Sequence, residues 1–276
     1  MRTAAAVTAA KLTAALSRRL GRGGGTALPG LVAEAVAPGV AGRLAAQLGH
    51  GCVLITGTNG KTTTARLVRN IAQAAGYWPV HNHSGSNLMR GITASLAEAA
   101  AGRGRLPQPE RRLGVFEVDE ATLPEAAAAL SPRAVAFTNL FRDQLDRYGE
   151  VDSVAALWRR AVAALPASTI VVLNGDDPAV ASLADSSGWG GPVLFYGVGD
   201  LSCAVQQIEH AADARWCAAC GGEYSYGAVF YGHVGHWACR GCGRTRPAAQ
   251  IEATRVEQAC SERSESNADQ PLRLSL

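Results

Sequence analysis

Apolar residues follow two different periods along this chain. From Cys52 to Tyr196, short unbroken apolar runs alternate with longer stretches in which apolar residues recur every three or four positions. The short runs are Cys52–Ile55, Leu113–Val118, Ala134–Thr138, Thr169–Leu173 and Val193–Tyr196, and they are expected to be strands buried on both faces. The stretches from Thr62 to about Ala75, Ile92–Ala101, Pro124–Leu130 and Val151–Leu165 are expected to be helices. Strands separated by helices predict an α/β fold, a mostly parallel sheet flanked by helices. Ligands on such a sheet sit beyond the carboxyl ends of its strands. Three polar segments fall there: after Ile55, around Val118 and after Thr138.

Outside this region the texture changes. Residues 1–50 read as an N-terminal helical segment: a helix over about 4–20, a glycine-rich break at Gly21–Gly25, and a shorter helical piece ending near Gly49. Residues 51–200 form the central domain. Residues 201–247 read as an insert rich in Gly, Cys, Tyr and Trp with no helical period, and 248–276 as a polar return segment. There is no internal repeat.

Composition narrows the class. At 276 residues with 47% hydrophobic and 6% aromatic content, the chain can bury a sizeable core, and helices on a sheet suit it better than an all-β sandwich. A formal charge of +3 supplies no basic stripe, so nucleic acid is not an expected partner. No run approaches the roughly 18–20 apolar residues that span a bilayer, so no transmembrane segment is expected. Lys11, Arg18 and Arg19 interrupt Met1–Leu20, whereas a secretory signal carries its charge first. An amphipathic surface helix and a cytoplasmic location follow, with the inner face of the membrane also open.

The run Cys52-Val-Leu-Ile-Thr-Gly-Thr-Asn-Gly-Lys-Thr-Thr-Thr64 reads strand, glycine turn, helix. Glycines let backbone approach phosphates, and the N–H groups of a loop and helix start point at an anion. Gly57, Thr58, Asn59, Gly60, Lys61, Thr62 and Thr63 are therefore the candidate ATP-binding residues. Lys61 is expected to reach the β/γ-phosphates, and the Thr62 hydroxyl to ligate Mg²⁺. Position 55 is Ile where the general phosphate-loop pattern has Gly, and an ordinary strand-to-helix turn with a solvated lysine is the bland alternative. Phe116-Glu117-Val118-Asp119-Glu120 closes the second strand run, where a carboxylate facing the loop can hold Mg²⁺. Asp119 falls on the same face two residues on, and Glu120 can cap the next helix.

Four of the seven cysteines form two C-x-x-C pairs, Cys217/Cys220 and Cys239/Cys242, with 18 residues between them. This spacing is that of a zinc ribbon. The glycine after each second cysteine permits the tight turn a knuckle needs, and four thiolates leave no open position, so the metal is expected to be structural. His233 and His236 are superfluous as ligands. Cys203 lies outside the pairs, and Cys52 is expected to be a small buried hydrophobe.

Ile55–Thr64 resembles the ATP loop of Mur ligases and folylpolyglutamate synthetases. Gly21–Gly25, Leu28-Pro29-Gly30, His83–Ile92 and the four-cysteine insert resemble, within the Mur ligase family, the MurT group, from about residue 3 to 246. The resemblance implies a Mur ligase central ATP-binding domain over 51–200 and a zinc-ribbon insert over 201–247. It implies ATP-dependent amidation of the D-glutamate α-carboxylate of lipid II through an acyl phosphate. ATP, Mg²⁺ and structural Zn²⁺ are the implied cofactors, and ammonia is to come from a GatD-like glutamine amidotransferase subunit. By the family pattern Thr62 and Glu117 serve the Mg²⁺.

Thr138–Tyr148 resembles a further family segment, except that Gln144 stands where the family has a metal-holding His. Arg159 falls near the position of a carbamoylated lysine in amino-acid-adding ligases. Both departures weaken a second metal site and argue against an amino-acid-adding ligase, whereas a ligase using ammonia could manage without them. Asn174–Pro178 resembles another segment, where Asp176 or Asp177 can equally cap a helix. The family's catalytic aspartate belongs to a C-terminal domain, and the sequence stops at Leu276 about where the preceding adenine motif is due. A fragment with a truncated return segment at 248–276 and no amidation alone is the expectation. Another Mur- or folylpolyglutamate-type ligase, or a non-catalytic ATP-binding zinc-ribbon scaffold, are the alternatives.

Overall fold

A computed structural model describes residues 2–19, 27–82, 86–141, 150–186, 188–205, 214–257 and 273–275, with backbone alone at 150, 151, 186 and 273–275. The glycine break at 21–25, His83 to Gly85, the 142–148 segment with Gln144, and Cys260 lie outside the described residues. The chain divides into two compact units. The first comprises Met1–Val172 and Leu183–Val193, and the second Leu173–Ser182 and Leu194–Leu276.

The first unit opens with helices α1 (Arg2–Arg19), α2 (Leu28–Val36) and α3 (Val40–Ala45). It continues as β1 (Cys52–Thr56), α4 (Lys61–Ala74), β2 (Trp78–His81), α5 (Met89–Ala99) and β3 (Arg112–Glu117). Next come α6 (Leu123–Leu130), β4 (Ala134–Phe137), α7 (Glu150–Ala163) and the start of β5 (Ile170–Asn174). The strand order is β2-β3-β1-β4-β5, and the pairs β2/β3, β3/β1 and β1/β4 are all parallel. Leu54, Ile55, Val115, Phe116 and Phe137 are fully buried, which explains the unbroken apolar runs: helices cover both faces of these strands. β2 has no such run; it is a four-residue edge strand carrying Pro79 and a half-exposed Trp78.

The N-terminal helix packs through small residues. Ala6, Val7 and Ala10 are buried, while Leu12 and Leu16 face outward, because alanines admit close approach to α2 and α5 where leucines would not fit. Lys11, which breaks the apolar run, donates to the carbonyl of Ala100 at the end of α5, a favourable place for a cation. None of the described helices is long and apolar enough to cross a membrane.

The second unit takes the end of β5, α8 (Pro178–Ala181) and β6 (Val193–Val198, from Leu194), with β6 pairing in parallel with β9 (Ile251–Ala253). Between these lies the antiparallel hairpin of β7 (Tyr224–Tyr231) and β8 (Val234–Cys239), and a last small pair, β10 (Arg255–Glu257) with β11 (Arg273–Ser275), follows.

Gly30 shows how closely α2 and α5 meet: a Cβ there would overlap the backbone carbonyl of Arg90. Gly30→Ala should therefore lower stability by about 1–3 kcal/mol through forced separation of the two helices. Leu31→Ala, at a half-exposed neighbour, should stay within about 0.5 kcal/mol. Urea midpoints measure both, and equal effects would contradict this packing.

Candidate functional site

Strand register assembles the site. Ile55 pairs with Glu117 and Thr56 with Phe137, so β1, β3 and β4 end at one level. The loop leaving β1 presses against the residues leaving β4. Gly57 has φ +138, and a Cβ there would overlap the Thr138 hydroxyl and crowd Asn139. Only glycine fits this cradle. The Thr58 N–H donates to Asn139 O (2.9 Å), the Asn59 N–H to Asn139 Oδ1 (2.8 Å), and the Thr138 hydroxyl to Asn59 O (2.8 Å). The Thr58 hydroxyl accepts from the Phe141 N–H at 2.9 Å.

With the amides of Thr58 and Asn59 spent on Asn139, other donors remain for a ligand. The first intrahelical bond of α4 runs from Thr64 N–H to Gly60 O at 2.9 Å. The N–H groups of Lys61, Thr62 and Thr63 therefore have no acceptor within the helix and sit at its positive end. Lys61 Nζ donates to the carbonyls of Gly57 and Thr58 and forms an ion pair with Glu120 Oε1 at 2.8 Å. The Thr62 hydroxyl donates to Glu117 Oε2 at 2.9 Å.

The three acids behave differently. Glu117 is buried, and among the described residues its carboxylate meets the Thr62 hydroxyl and no cation. A buried carboxylate without a counter-charge is unfavourable, and a divalent ion beside Thr62 neutralises it, so the donor set fits Mg²⁺. Asp119 lies past the end of β3, and its Oδ1 accepts from the Ala121 N–H at 3.0 Å in a local turn, so the expected same-face placement does not hold. Glu120 caps no helix. Thr122 occupies the N-cap of α6 without a side-chain bond, and Glu120 turns to Lys61. Its backbone carbonyl accepts from the indole of the fully buried Trp158 (3.3 Å), which stacks edge-on against Phe137.

One residue was invisible to sequence reading. Asn82 Nδ2 donates to Glu117 O (2.8 Å) and Ser86 O (2.9 Å), and Asn82 Oδ1 accepts from the Glu117 N–H (2.9 Å). Its amide acts as one more peptide unit beside β3 and fixes the backbone of Glu117. A single Asn in a polar loop carries no signal of this. His81 bonds Arg69 at 3.2 Å, and Arg159 sits half-buried on α7.

The second unit holds the cysteine cluster. The sulfurs of Cys217, Cys220, Cys239 and Cys242 lie within 4.8 Å of one another, with Cys220–Cys239 at 3.5 Å and Cys217–Cys242 at 3.9 Å. Corners of a zinc tetrahedron with Zn–S near 2.3 Å are about 3.8 Å apart, so the group fits Zn²⁺ without rearrangement. Gly221 and Gly243 take φ +70 and +72, as the knuckle turns require. Burial opposes the Cys217 thiolate, but hydrogen bonds from Tyr224 and from the backbone of Ala219 and Cys220 outweigh it and bring the thiol down to about 6. Backbone donors from Cys242 lower Cys239 as well.

The histidines point elsewhere. His233 Nε2 lies 3.2 Å from Asp177 Oδ2, both fully buried, and His236 Nε2 bonds Val198 O at 2.8 Å. Asp177 caps α8 by accepting from Ala179 and Val180, while Asp176 pairs with Arg246 at 2.5 Å. Cys52, the first residue of β1, is buried, and burial pushes its thiol up to about 12.

The sequence pattern of the Mur ligase middle domain matches residues 55–222. The MurT subunit of lipid II isoglutaminyl synthase (glutamine-hydrolyzing) from Staphylococcus aureus is 32% identical over 261 residues, covering 94% of this chain and 56% of that protein. Its counterpart from Streptococcus pneumoniae is 31% identical, covering 89% and 52%. The chain thus spans about half the length of the curated relatives it matches. MurF from Acinetobacter baumannii, a solved structure, superposes with a TM-score of 0.48 at 15% identity over 62% of this chain and 35% of that one. With the middle-domain pattern running through more than half of its length, the chain belongs to the Mur ligase family.

Proposed function

We propose that this chain carries the nucleotide-binding part of an ATP-dependent ligase that amidates the D-glutamate α-carboxylate of lipid II to D-isoglutamine. The supporting observation is the pairing of Lys61 and Thr62 with Glu120 and Glu117 beside the helix-start N–H groups of α4, in a chain 32% identical to a MurT subunit over 94% of its length.

In this reading the substrate carboxylate attacks the γ-phosphorus of ATP, the bond to the β-phosphate oxygen breaks, and ADP leaves. Ammonia then adds to the acyl carbon and gives up a proton, which leaves with the departing phosphate as hydrogen phosphate, and the amide remains. The helix-start amides of Lys61, Thr62 and Thr63, with the Gly57–Gly60 turn, hold the phosphates, and Lys61 moves from Glu120 to the β/γ-phosphates. Thr62 and Glu117 would hold Mg²⁺, which when bound would supply positive charge against the repulsion between the γ-phosphate and the carboxylate. Cys217, Cys220, Cys239 and Cys242 hold a Zn²⁺ that ties the two knuckles together. Ammonia comes from a GatD-like glutaminase subunit, and the work is done in the cytoplasm at the inner membrane face, where a lipid-linked substrate is reached.

Calorimetric titration of Mg²⁺–ATP should show Lys61→Met weakening affinity by about 10- to 100-fold, the worth of a charge-assisted hydrogen bond. Glu120→Gln should tighten it severalfold, because it releases Lys61 and removes a negative charge near the phosphates. An unchanged affinity in Lys61→Met removes the loop as the nucleotide site.

Elemental analysis should find one zinc per chain. Cys220→Ser or Cys242→Ser should lose the metal and lower the melting temperature, since metal binding free energy adds to folding free energy.

Muropeptide mass spectrometry of source cells carrying Lys61→Met at this gene should show D-glutamate accumulating in place of D-isoglutamine. Amidation that continues at the normal level would sink the assignment to lipid II while leaving the nucleotide site standing.

A further inference from the structure

A second charged site lies along the outer edge of the first unit's sheet. An open cavity of about 650 Å³ is bounded by α4, the turn after it, edge strand β2 and the start of β3. Arg69, Arg111 and Arg112 line it with His81, and among the described residues no acid does. Among the described residues, ion pairs form at Lys61, Arg215, Arg246 and Arg255, and none forms at these three arginines. Glu110, next in sequence to Arg111, pairs with neither Arg111 nor Arg112.

The guanidiniums are held by neutral partners. Arg69 donates to Asn70 Oδ1 (3.2 and 3.0 Å) and approaches His81 Nε2 (3.2 Å). Arg111 donates once, to Gly76 O at 3.0 Å, and Arg112 once, to Pro107 O at 3.0 Å. Each guanidinium has five N–H donors, so Arg111 and Arg112 keep most of theirs. Both also lie over the same indole, 4.9 and 5.3 Å from the Trp78 ring. Two like charges on one ring repel, and the ring's attraction offsets this only in part. An anion between them removes the conflict. Arginine forks match phosphate oxygens in pairs, and the cavity volume falls in the small-molecule range.

We propose that this groove is a phosphate-binding site, separate from the nucleotide loop, that takes a phosphate or diphosphate ester through Arg69, Arg111 and Arg112 with the flank of Trp78 against the ester's organic part. It is separate because Arg69 lies eight residues, or about 12 Å of helix, beyond Lys61. The site rests on its own residues and stands or falls independently of the ligase assignment.

The probe is inorganic pyrophosphate, titrated into the Lys61→Met chain so that the nucleotide loop is disabled. Binding should persist there and fall at least about tenfold when Arg69→Gln and Arg111→Gln are added. Binding that the two arginine changes leave untouched overturns the site. If circular dichroism shows that the triple variant does not fold, the Nε–H resonances of Arg69, Arg111 and Arg112 are followed in the natural chain. Shifts on adding pyrophosphate support the site, and silence at all three overturns it. Sedimentation with phosphatidylglycerol vesicles, against phosphatidylcholine controls, separates the sources. Capture that depends on Arg69 and Arg111 assigns a lipid headgroup, pyrophosphate binding without capture assigns a soluble phosphate ester, and neither response overturns the proposal.

Discussion

The Gly57–Gly60 turn is held from within by the Lys61 ammonium, which donates to the Gly57 and Thr58 carbonyls, and from outside by the two residues that leave β4. Thr138 and Asn139 accept and donate hydrogen bonds along Gly57–Asn59, and Gly57 is pressed so closely on them that no side chain fits. This bracing exists only while Thr56 stands opposite Phe137. A slip of one residue between β1 and β4 would carry every side chain to the wrong face and move Thr138 away from the loop. The buried apolar faces of β1, β3 and β4 hold that register, so the sheet's core is what gives the loop its geometry.

The same division between what is local and what is assembled explains how much could be read from sequence. The central strands were legible because burial on both faces leaves unbroken apolar runs, and the helices because their apolar period is 3.6. β2 left no such trace: it is short, sits at the edge and contains Pro79, so neither run nor alternation marks it. The strand–turn–helix at Gly57–Thr63 and the gathering of the two cysteine pairs were legible because each pattern lies within four to seven consecutive residues. Their supports were not. Asn82 reaches Glu117 across 35 residues, His233 reaches Asp177 across 56, and Trp237 donates to Gly175 across 62. Such contacts belong to topology, and residue type alone does not announce them.

The fate of the strand-end acids carries the chemistry one step further. Three carboxylates within four residues are equivalent on paper. Packing separates them: Asp119 is consumed by a turn, Glu120 neutralises the lysine, and Glu117 is left buried with a hydroxyl for company. Lys61 can thus stay largely buried when no phosphate is near, because Glu120 supplies its counter-charge.

Among the described residues Glu117 has no such partner, and its backbone is fixed by the Asn82 amide, which bonds both its N–H and its carbonyl. A carboxylate with its main chain tied on both sides and no cation beside it among the described residues is suited to a hard cation, since coordination needs fixed oxygens and supplies the missing charge. A carboxylate already engaged with an ammonium, its carbonyl tied to Trp158, is suited to releasing that ammonium when a phosphate arrives. An exchange of one anionic partner for another would move only the Lys61 side chain, since its ammonium already lies against the Gly57 and Thr58 carbonyls of the turn.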